Sequence, residues 1–476
     1  MIVPEKENFA KDLEKKRPWW SALTDPVILL FIIMAVVGLL TYLIPAGQYE
    51  SVVKNGQKVI DPNSFHFIQA IPTSFLGLFS AIPLGLQNAA PLIFMIFLIG
   101  GAIKIFETSG AIGGAVAAFA RRYGEEKSSW VLVLITTFFM SLGAFPGMLE
   151  AAIPFAPLVV GIALSMKYDV IVGMSTAVMG IAMGFAAGPT NPWNTGIAQQ
   201  MAGLPLFSGI GFRLGLLFVL AITVNAWILV YAKKVKANPQ KSIVYGIVDN
   251  SQFNIVNLQD MPFGRREQLV LLTFIATIVT VVYGTLKLSW GMTEMSAVYI
   301  IGAIVGGIIA GYNAQKITSV MIEGAKSIFI GALAIGLARG ISVIMQNTKI
   351  IDTIVHYSAM PLQGASPFIS ACLMFIMQAL LTFFIPSGSG LAMTTMPIMI
   401  PLADLLHLNK QIAILAFQFG DGFGHLAFPT VAVVIGFLAY IKIPFGKWLR
   451  YIWPFIIITF ITAFSALAIA IAIDLK

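Results

Sequence analysis

Four short segments place Pro or Gly next to polar side chains inside otherwise apolar runs. The segments are Gly143–Gly147, Gly188–Asn194, Ile385–Gly390 and Gly420–His425, the last continuing to Pro429 and Thr430. Pro and Gly interrupt helical hydrogen bonding, and an unpaired backbone group in lipid is costly, so such interruptions persist where a cavity or a ligand satisfies the freed groups. Helix ends with free N–H groups attract a carboxylate, and unwound carbonyls attract Na⁺. The segments therefore predict a binding site for a small carboxylate-bearing solute.

Two carboxylates accompany these segments. Glu150 lies one turn beyond the Pro146–Gly147 pair, and Asp421 lies between two glycines. An acidic residue inside a membrane span is a functional candidate, because its charge is costly there without a partner. We expect both residues to hold a substrate amine, a proton or a coupling cation. The alternatives are that Glu150 complements the N-terminus of the next helix and that Asp421 occupies a turn.

Several uncharged or weakly charged groups lie at the same interruptions. His425 follows Asp421 by four residues and would share a proton with it in a helix, although a packed, hydrogen-bonded histidine is the alternative. Thr190, Asn191 and Asn194 supply donors and acceptors, and they also suit capping of the broken helix ends. The expected substrate contacts are Pro146, Gly147, Glu150, Thr190, Asn191, Asn194, Ser387, Gly388, Ser389, Gly390, Asp421, His425 and Thr430.

One further cation, Arg339, lies within an apolar span. We expect it to partner a carboxylate or a helix end rather than to contact substrate. Gly302, Gly306 and Gly307 lie at helical spacing and permit close helix contact, either within the chain or at a dimer face. No HExxH, GxSxG or Walker-type motif is present, so an enzyme or an ATP-driven pump is not expected.

The composition indicates a polytopic membrane protein. The chain has 476 residues, of which 58% are hydrophobic and 11% charged, and its mean hydropathy is +0.88. A soluble protein carries about 25% charged residues, so a soluble enzyme is excluded. The single cysteine, Cys372, cannot form a disulfide or a thiolate metal site within one chain. No cofactor is expected beyond a coupling ion, Na⁺ or H⁺.

Apolar runs of about 20 residues predict membrane spans. Nine spans are expected, together with two re-entrant hairpins, at Trp130–Met166 and Pro367–Leu406. The segments Thr73–Asn88 and Ala111–Arg122 are expected to be interfacial connectors. The predicted spans are Val27–Ala46, Ala90–Glu107, Asp169–Gly203, Gly211–Ala232, Leu269–Gly284, Met292–Tyr312, Lys326–Met345, Asn409–Tyr440 and Tyr451–Ile473.

The distribution of Lys and Arg predicts the orientation. With the N-terminus inside, most of the 29 basic residues fall in inner loops, and a few, Arg213 among them, fall at the outer face. This excess predicts an inside N-terminus and an outside C-terminus in a bacterial inner membrane. It also accounts for the net charge of +8 without nucleic acid as a partner.

The two halves of the chain share one pattern. At a shift of 240 residues the matched pairs are Pro146 with Pro386, Pro157 with Pro397, Gly180 with Gly420, Gly184 with Gly424, Pro189 with Pro429 and Thr190 with Thr430. Given the predicted spans, the first hairpin enters from the inside and the second from the outside, so the repeats are inverted. Inverted repeats with discontinuous helices are typical of secondary transporters.

The predicted fold is therefore an all-α membrane protein built from an inverted repeat, with two re-entrant hairpins, discontinuous helices and about nine spans. Residues 1–26 form a cytoplasmic N-terminus. The remaining divisions are 27–232 for the first repeat, with hairpin 130–166 and broken helix 169–203; 233–268 for a cytoplasmic linker; 269–291 for a linking span and outer turn; and 292–476 for the second repeat, with hairpin 367–406 and broken helix 409–440.

The second half carries the most specific motifs. The string PSGSGLAMTTMPIMIP at Pro386–Pro401, followed by AFQFGDGFGH at Ala416–His425 and by Pro429–Thr430, resembles the YfcC-like branch of the anaerobic C4-dicarboxylate carrier family, in the ion transporter superfamily. Looser matches occur at Pro146–Glu150 and Asn191–Asn194. Relatives tend to carry paired acids after the first tip, whereas Glu150 here is followed by an alanine.

The resemblance implies a scaffold domain and a transport domain, a homodimer, elevator-like movement and ion-coupled uptake or exchange. Its members are assigned C4-dicarboxylates or basic amino acids such as arginine and ornithine. The four interruptions contribute Glu150 and Asp421 but no Lys or Arg, which favours an amino acid over a dianion. A C4-dicarboxylate stays open, because both acids could serve coupling ions, and a passive channel is the alternative of a different class.

Overall fold

The computed structural model describes residues 26–54, 57–61, 64–123, 128–248, 253, 261–288, 290–362, 366–406 and 408–475. The predicted cytoplasmic N-terminus, 1–26, lies outside the described residues except for Pro26. Part of the predicted linker, 233–268, also lies outside them.

Helices dominate the first half of the described chain. The α-helices are α1 (Pro26–Leu40), α2 (Phe75–Thr108), α3 (Ala111–Tyr123), α4 (Ser128–Ala144), α5 (Ala156–Ser165), α6 (Val170–Ala187), α7 (Ile197–Ala202) and α8 (Ile210–Ala237). Tighter or wider helical turns occur at Leu149–Phe155, Pro192–Gly196 and Pro239–Lys241.

The second half is also helical. Its α-helices are α9 (Arg265–Leu288), α10 (Met292–Ile309), α11 (Ala314–Ser327), α12 (Phe329–Asn347), α13 (Ile350–Ala359), α14 (Pro367–Phe384), α15 (Gly388–Leu405), α16 (Lys410–Gly424), α17 (Ala432–Ile441) and α18 (Phe445–Ala472). A 3₁₀ turn at Met360–Leu362 follows α13.

Four short strands lie between α1 and α2, and they depart from the expected all-α pattern. They are β1 (Gly47–Gln48), β2 (Ser51–Lys54), β3 (Gln57–Ile60) and β4 (His66–Phe67). β1 pairs antiparallel with β4, and β2 pairs antiparallel with β3. We call the membrane face on which these strands lie the strand side.

Eight described helices are long and apolar enough to span a membrane. The chain is therefore a multi-pass membrane protein, although the set differs from the nine predicted spans. The first run forms α1, which has 15 residues, and the run 409–440 is divided between α16 and α17. In contrast, α14, one leg of a predicted hairpin, qualifies by its own length.

The prediction of an interfacial connector at Thr73–Asn88 is wrong. This segment begins α2, a continuous helix of 34 residues that includes Pro83 and Pro91. Ser74 caps its N-terminus, because the Ser74 side chain accepts a hydrogen bond from the Gly77 N–H. The second predicted connector, Ala111–Arg122, does form a separate helix, α3.

Two groups of helices pack around the centre of the molecule. In one group, α2 contacts α10, α11 and α12. In the other, α4 packs on α6 and α14 packs on α16, and α6 and α16 contact each other. Every residue of α6 is buried, which explains its continuously apolar sequence.

Matched glycines allow close helix contacts in the second group. A Cβ at Gly184 of α6 would lie 1.9 Å from the Met140 carbonyl oxygen of α4. A Cβ at Gly424 of α16 would lie 2.9 Å from the Thr382 Cβ of α14. These two glycines correspond at the 240-residue shift, so both helix pairs use the same packing device.

The glycines of α10 pack within the chain. A Cβ at Gly302 would lie 2.1 Å from the Thr277 hydroxyl oxygen of α9, and a Cβ at Gly306 would lie 2.7 Å from the Phe106 ring of α2. These contacts account for the small residues, so this stripe does not form a dimer face.

Candidate functional site

A central cavity of about 360 Å³ lies between the two groups of helices. Small-molecule sites have volumes of about 300–1,000 Å³. Gly147–Ala151 and Pro386–Ser389 line the cavity, as do residues of α2, α10 and α12. We call Phe145–Glu150 the first tip and Ile385–Gly390 the second tip.

The structure brings some of the predicted substrate contacts to this cavity and leaves others behind its wall. Those that line it are Gly147, Glu150, Ser387, Gly388, Ser389, His425 and Thr430. Those outside its lining are Pro146, Thr190, Asn191, Asn194, Gly390 and Asp421. Pro146 and Gly390 belong to the tips themselves, and the other non-lining residues form hydrogen bonds at the tips and helix ends.

The first tip follows the end of α4. The Met148 N–H donates to the Leu142 carbonyl at 3.0 Å, and Gly147 has a φ of +67° that favours glycine. A Cβ at Gly147 would lie 2.1 Å from Asn191 Oδ1, so this position also needs glycine for space. The chain then enters the 3₁₀ turn that carries Glu150.

The second tip joins α14 to α15. Ser387 caps the N-terminus of α15, because its hydroxyl oxygen accepts a hydrogen bond from the Gly390 N–H at 3.4 Å. A Cβ at Gly388 would lie 2.7 Å from Asp421 Oδ2. The tip therefore places a helix N-terminus, with free N–H groups and a partial positive charge, beside the cavity.

The interruption between α6 and α7 is held by its own side chains. The α6 helix ends at Gly188, which has a φ of +41°, and Thr195 donates to the Gly188 carbonyl at 2.9 Å. Asn191 accepts from the Trp193 and Asn194 N–H groups and so caps the broken end. Thr190 donates to the Phe145 carbonyl of the first tip at 3.3 Å.

The expected interruption, Gly420–His425 continuing to Pro429 and Thr430, begins later than predicted. The α16 helix continues through Gly424, and the non-helical stretch begins at His425. The glycines serve close packing, since a Cβ at Gly422 would lie 2.4 Å from Ala186 Cα and one at Gly420 would lie 2.7 Å from the Phe375 carbonyl. Asp421 therefore lies on a regular helix.

Asp421 is fully buried behind the second tip. Its Oδ2 accepts a hydrogen bond from Asn194 Nδ2 at 2.5 Å. Its Oδ1 lies 3.3 Å from His425 Nδ1 and accepts no hydrogen bond from a described residue. Asn194 Oδ1 is also buried without a donor. Two neighbouring residues thus present unsatisfied oxygens, an arrangement suited to a cation or a proton.

Glu150 and Arg339 line the same cavity with opposite charges. Both side chains are partly exposed, and among the described residues neither forms a hydrogen bond or an ion pair. The expectation that Arg339 partners a carboxylate or a helix end is therefore not met by any described contact. A cavity with one free anion and one free cation is complementary to a solute that carries both charges.

Aromatic and polar side chains from distant helices complete the cavity. Asn88 of α2, Thr285 of α9, Trp290 before α10 and Trp193 line it. Only Trp193 belongs to an interruption that the sequence singles out. The others lie on regular helices or in a turn, where no local sequence signal marks them.

A second buried polar network lies behind α16. Arg213, expected at the outer face, is 0% exposed. Its Nε donates to Gln418 Oε1 at 3.0 Å, and its other nitrogens donate to the Ser208 carbonyl at 2.7 Å and to Gln411 Oε1 at 3.1 Å. These neutral acceptors tie α8 to α16.

Comparison with known proteins identifies similar sequences over nearly the whole chain. The sequence model of a family described as C4-dicarboxylate anaerobic carrier matches residues 23–472. A protein of Escherichia coli, "Putative basic amino acid antiporter YfcC", is 30% identical over 475 residues and covers 91% of this chain and 93% of that protein.

Two further similarities were found. An uncharacterized protein of Haemophilus influenzae is 29% identical over 379 residues, which cover 78% of this chain and 74% of that protein. The crystal structure of the YdaH transporter of Alcanivorax borkumensis covers 94% of this chain and 99% of its own at 15% identity, with a TM-score of 0.45.

Proposed function

Because the chain belongs to the C4-dicarboxylate anaerobic carrier family, we propose that it is a secondary active transporter of an amino acid with a cationic side chain, such as arginine or ornithine. The observation that carries this proposal is the pair of unpaired opposite charges, Glu150 and Arg339, in one cavity. The name of the Escherichia coli relative, a basic amino acid antiporter, agrees with this substrate class.

The cavity suggests how such a solute is held. The substrate carboxylate binds Arg339 and the N-terminus of α15 at Ser387–Ser389, where charge-assisted hydrogen bonds are available. The cationic side chain binds Glu150. Trp193 and Trp290 line the same cavity, and an aromatic face attracts a cation by about 0.5–2 kcal/mol.

The coupling cation occupies a separate position, at Asp421 and Asn194. Support comes from the two buried oxygens, Asp421 Oδ1 and Asn194 Oδ1, which have no donor among the described residues. Either Na⁺ or H⁺ satisfies them. Because Gly388 of the second tip lies against Asp421, occupation of this position is coupled to the conformation of that tip. Glu150 is the second candidate for the coupling ion.

The transporter works by alternating access of an inverted repeat. Helix bounds support the repeat, since at a shift of 240 residues the ends of α4 and α14 coincide and so do the starts of α6 and α16. In this proposal the pairs α4–α5 and α14–α15 are re-entrant hairpins. The group around α6 and α16 moves as an elevator against the scaffold of α2 and α10–α12.

The protein lies in the inner membrane of a bacterium as a homodimer, with its N-terminus inside and its C-terminus outside. The distribution of Lys and Arg supports this orientation. In it, the strand side is the outer side.

A C4-dicarboxylate is the second candidate substrate. The family description favours it, and Arg339 supplies the cation that the four interruptions lack. A passive channel is the candidate of a different class. It would pass the same substrates as a carrier but would not show saturable exchange.

Counterflow in proteoliposomes tests these candidates together. We expect labelled L-arginine to accumulate transiently in vesicles preloaded with unlabelled L-arginine or L-ornithine. The unlabelled solute leaves the vesicle on the carrier, and the carrier then takes up labelled L-arginine in exchange. Vesicles preloaded with succinate serve as the control and should show no acceleration. Acceleration by succinate would favour the dicarboxylate, and unsaturable flux without acceleration by any preloaded solute would favour a channel.

A further inference from the structure

A second cavity lies on the other side of the second tip. We call it the strand-side cavity, and its volume is about 370 Å³. The residues that line it and carry the argument are Gln346, Lys349, Asp352, Ile385, Gly390 and Thr394.

The second tip separates the two cavities. Pro386–Ser389 line the central cavity, whereas the flanking residues Ile385 and Gly390 line the strand-side cavity. The helical backbone stops at Phe384 and resumes at Gly388. A solute in the strand-side cavity is therefore separated from the central cavity by one short stretch of largely non-helical chain.

The strand-side cavity also contains one cation and one anion. Among the described residues, Lys349 and Asp352 form no ion pair with each other or with a third residue. Burial raises the pKa of Asp352, and the ammonium group of Lys349 acts in the opposite direction. One Asp352 oxygen, Oδ2, accepts the Tyr49 N–H at 3.2 Å. Within the described part of the chain, the Lys349 ammonium group and Asp352 Oδ1 form no hydrogen bond or ion pair.

The chain between α1 and α2 fixes the backbone that carries these two residues. The Gly47 N–H of β1 donates to the Lys349 carbonyl at 3.0 Å. The Tyr49 hydroxyl lies 3.1 Å from Nδ1 of His356, one turn after Asp352. The Phe65 ring stacks on His356 with centroids 3.9 Å apart. The start of α13 is thus fixed by the chain between α1 and α2, and a binding group that is already ordered loses less entropy when a ligand binds.

The two cavities offer a solute the same pair of charges on opposite sides of one tip. We propose that the strand-side cavity is a second binding site for the transported amino acid, with the carboxylate at Lys349 and the α-ammonium group at Asp352. The solute occupies this site before it passes the second tip. This inference rests on the proposed function.

Transport kinetics measured separately at the two membrane faces test the inference. We compare Lys349→Gln and Asp352→Asn with the wild type in right-side-out and inside-out membrane vesicles, with labelled L-arginine as the probe. The expected result is a rise in KM of about fivefold to tenfold at the strand side only, since about 1 kcal/mol of binding free energy is lost. The KM at the opposite face should stay unchanged.

Matched control variants are available between α15 and α16. Lys410 Nζ lies 3.4 Å from Asp404 Oδ2 in an exposed ion pair outside the lining of both cavities. Lys410→Gln and Asp404→Asn make the same charge changes and should leave both KM values unchanged. An unchanged KM in the cavity variants, or an equal rise at both faces, would overturn the inference.

Calorimetric titration of the purified full chain with L-arginine gives an independent result. The wild type should bind at two sites, and Lys349→Gln should weaken binding at one of them by about fivefold to tenfold. A single site in the wild type would overturn the inference even if a cavity variant failed to fold. If the wild type does not exchange L-arginine at all, the proposed function fails; if it does but shows one site and symmetrical kinetics, only the second site fails.

Discussion

Asp421 is a buried carboxylate whose two oxygens have different surroundings. Oδ2 accepts a hydrogen bond from Asn194, whereas Oδ1 accepts none from a described residue. Leaving a buried acceptor unsatisfied costs about 1–3 kcal/mol. In the proposed function a cation or a proton binds there and removes this cost, which would link ion binding to the stability of the site.

We predict that Asp421→Asn loses the dependence of transport on the coupling ion. The amide has the same shape but carries no charge, so it binds Na⁺ weakly and does not bind a proton near neutral pH. The initial rate of L-arginine uptake should fall about tenfold or more under an ion gradient, equivalent to about 1.4 kcal/mol. Rates are measured against Na⁺ concentration at fixed pH and against pH at fixed Na⁺.

Asp404→Asn is the control for this prediction, because Asp404 is 56% exposed and lies outside the central cavity. It should behave as the wild type does. A wild-type ion dependence in Asp421→Asn would remove this carboxylate from coupling.

The sequence predicts which polar residues of the two tips line the central cavity. It does not predict that Arg339 of α12 lines the same cavity. Glu150 and the second tip are visible because they follow Pro and Gly within apolar runs, and they line the cavity. Arg339 lies on a regular helix, α12, so its place in the cavity depends on tertiary packing that no local pattern encodes. Trp290 lies in a turn before α10, and its place in the cavity depends on tertiary packing in the same way.

The bounds of the helix pairs at the two tips match the predicted bounds more closely than the bounds of the long helices do. The predicted hairpins 130–166 and 367–406 correspond to α4–α5 and α14–α15. The connector predicted at Thr73–Asn88 is wrong because the helix continues through Pro83, so this segment is part of the long α2. The Gly420–Gly424 segment was misassigned because glycine serves both unwinding and close packing, and periodicity does not distinguish the two.

Close packing of α4 on α6 gives a prediction about stability. Gly184→Ala should lower the thermal unfolding midpoint by several degrees, because its Cβ would lie 1.9 Å from the Met140 carbonyl oxygen and overpacking costs about 1–3 kcal/mol. Gly424→Ala should have a smaller effect, since its nearest contact would be 2.9 Å. The midpoint is measured on purified protein in detergent.

Gly215 of α8 provides the matched control, because a Cβ there would meet nothing within 4 Å. Gly215→Ala should leave the midpoint unchanged or raise it slightly, since alanine favours a helix by about 1 kcal/mol over glycine. Equal midpoints for Gly184→Ala and Gly215→Ala would contradict the packing account.

In the whole molecule, matched residues that lie 240 positions apart correspond both in sequence and in their place in the helices. This correspondence aligns prolines and glycines in the sequence, and it also aligns the ends of α4 and α14 and the starts of α6 and α16. The cavity between the two helix groups combines residues from both halves of the chain, including Glu150 from the first and Arg339 from the second. A single site therefore requires both halves to fold together.

In the proposed function, Glu150 and Arg339 recognise the two charged ends of one solute. Equilibrium binding of L-arginine, L-citrulline and agmatine tests it most directly, because citrulline lacks the cationic side chain and agmatine lacks the carboxylate. We predict that Glu150→Gln weakens arginine binding about tenfold but leaves citrulline binding unchanged, and that Arg339→Gln weakens arginine binding to a similar extent but leaves agmatine binding unchanged. Equal losses for all three compounds in either variant, or no loss for arginine, would contradict the account.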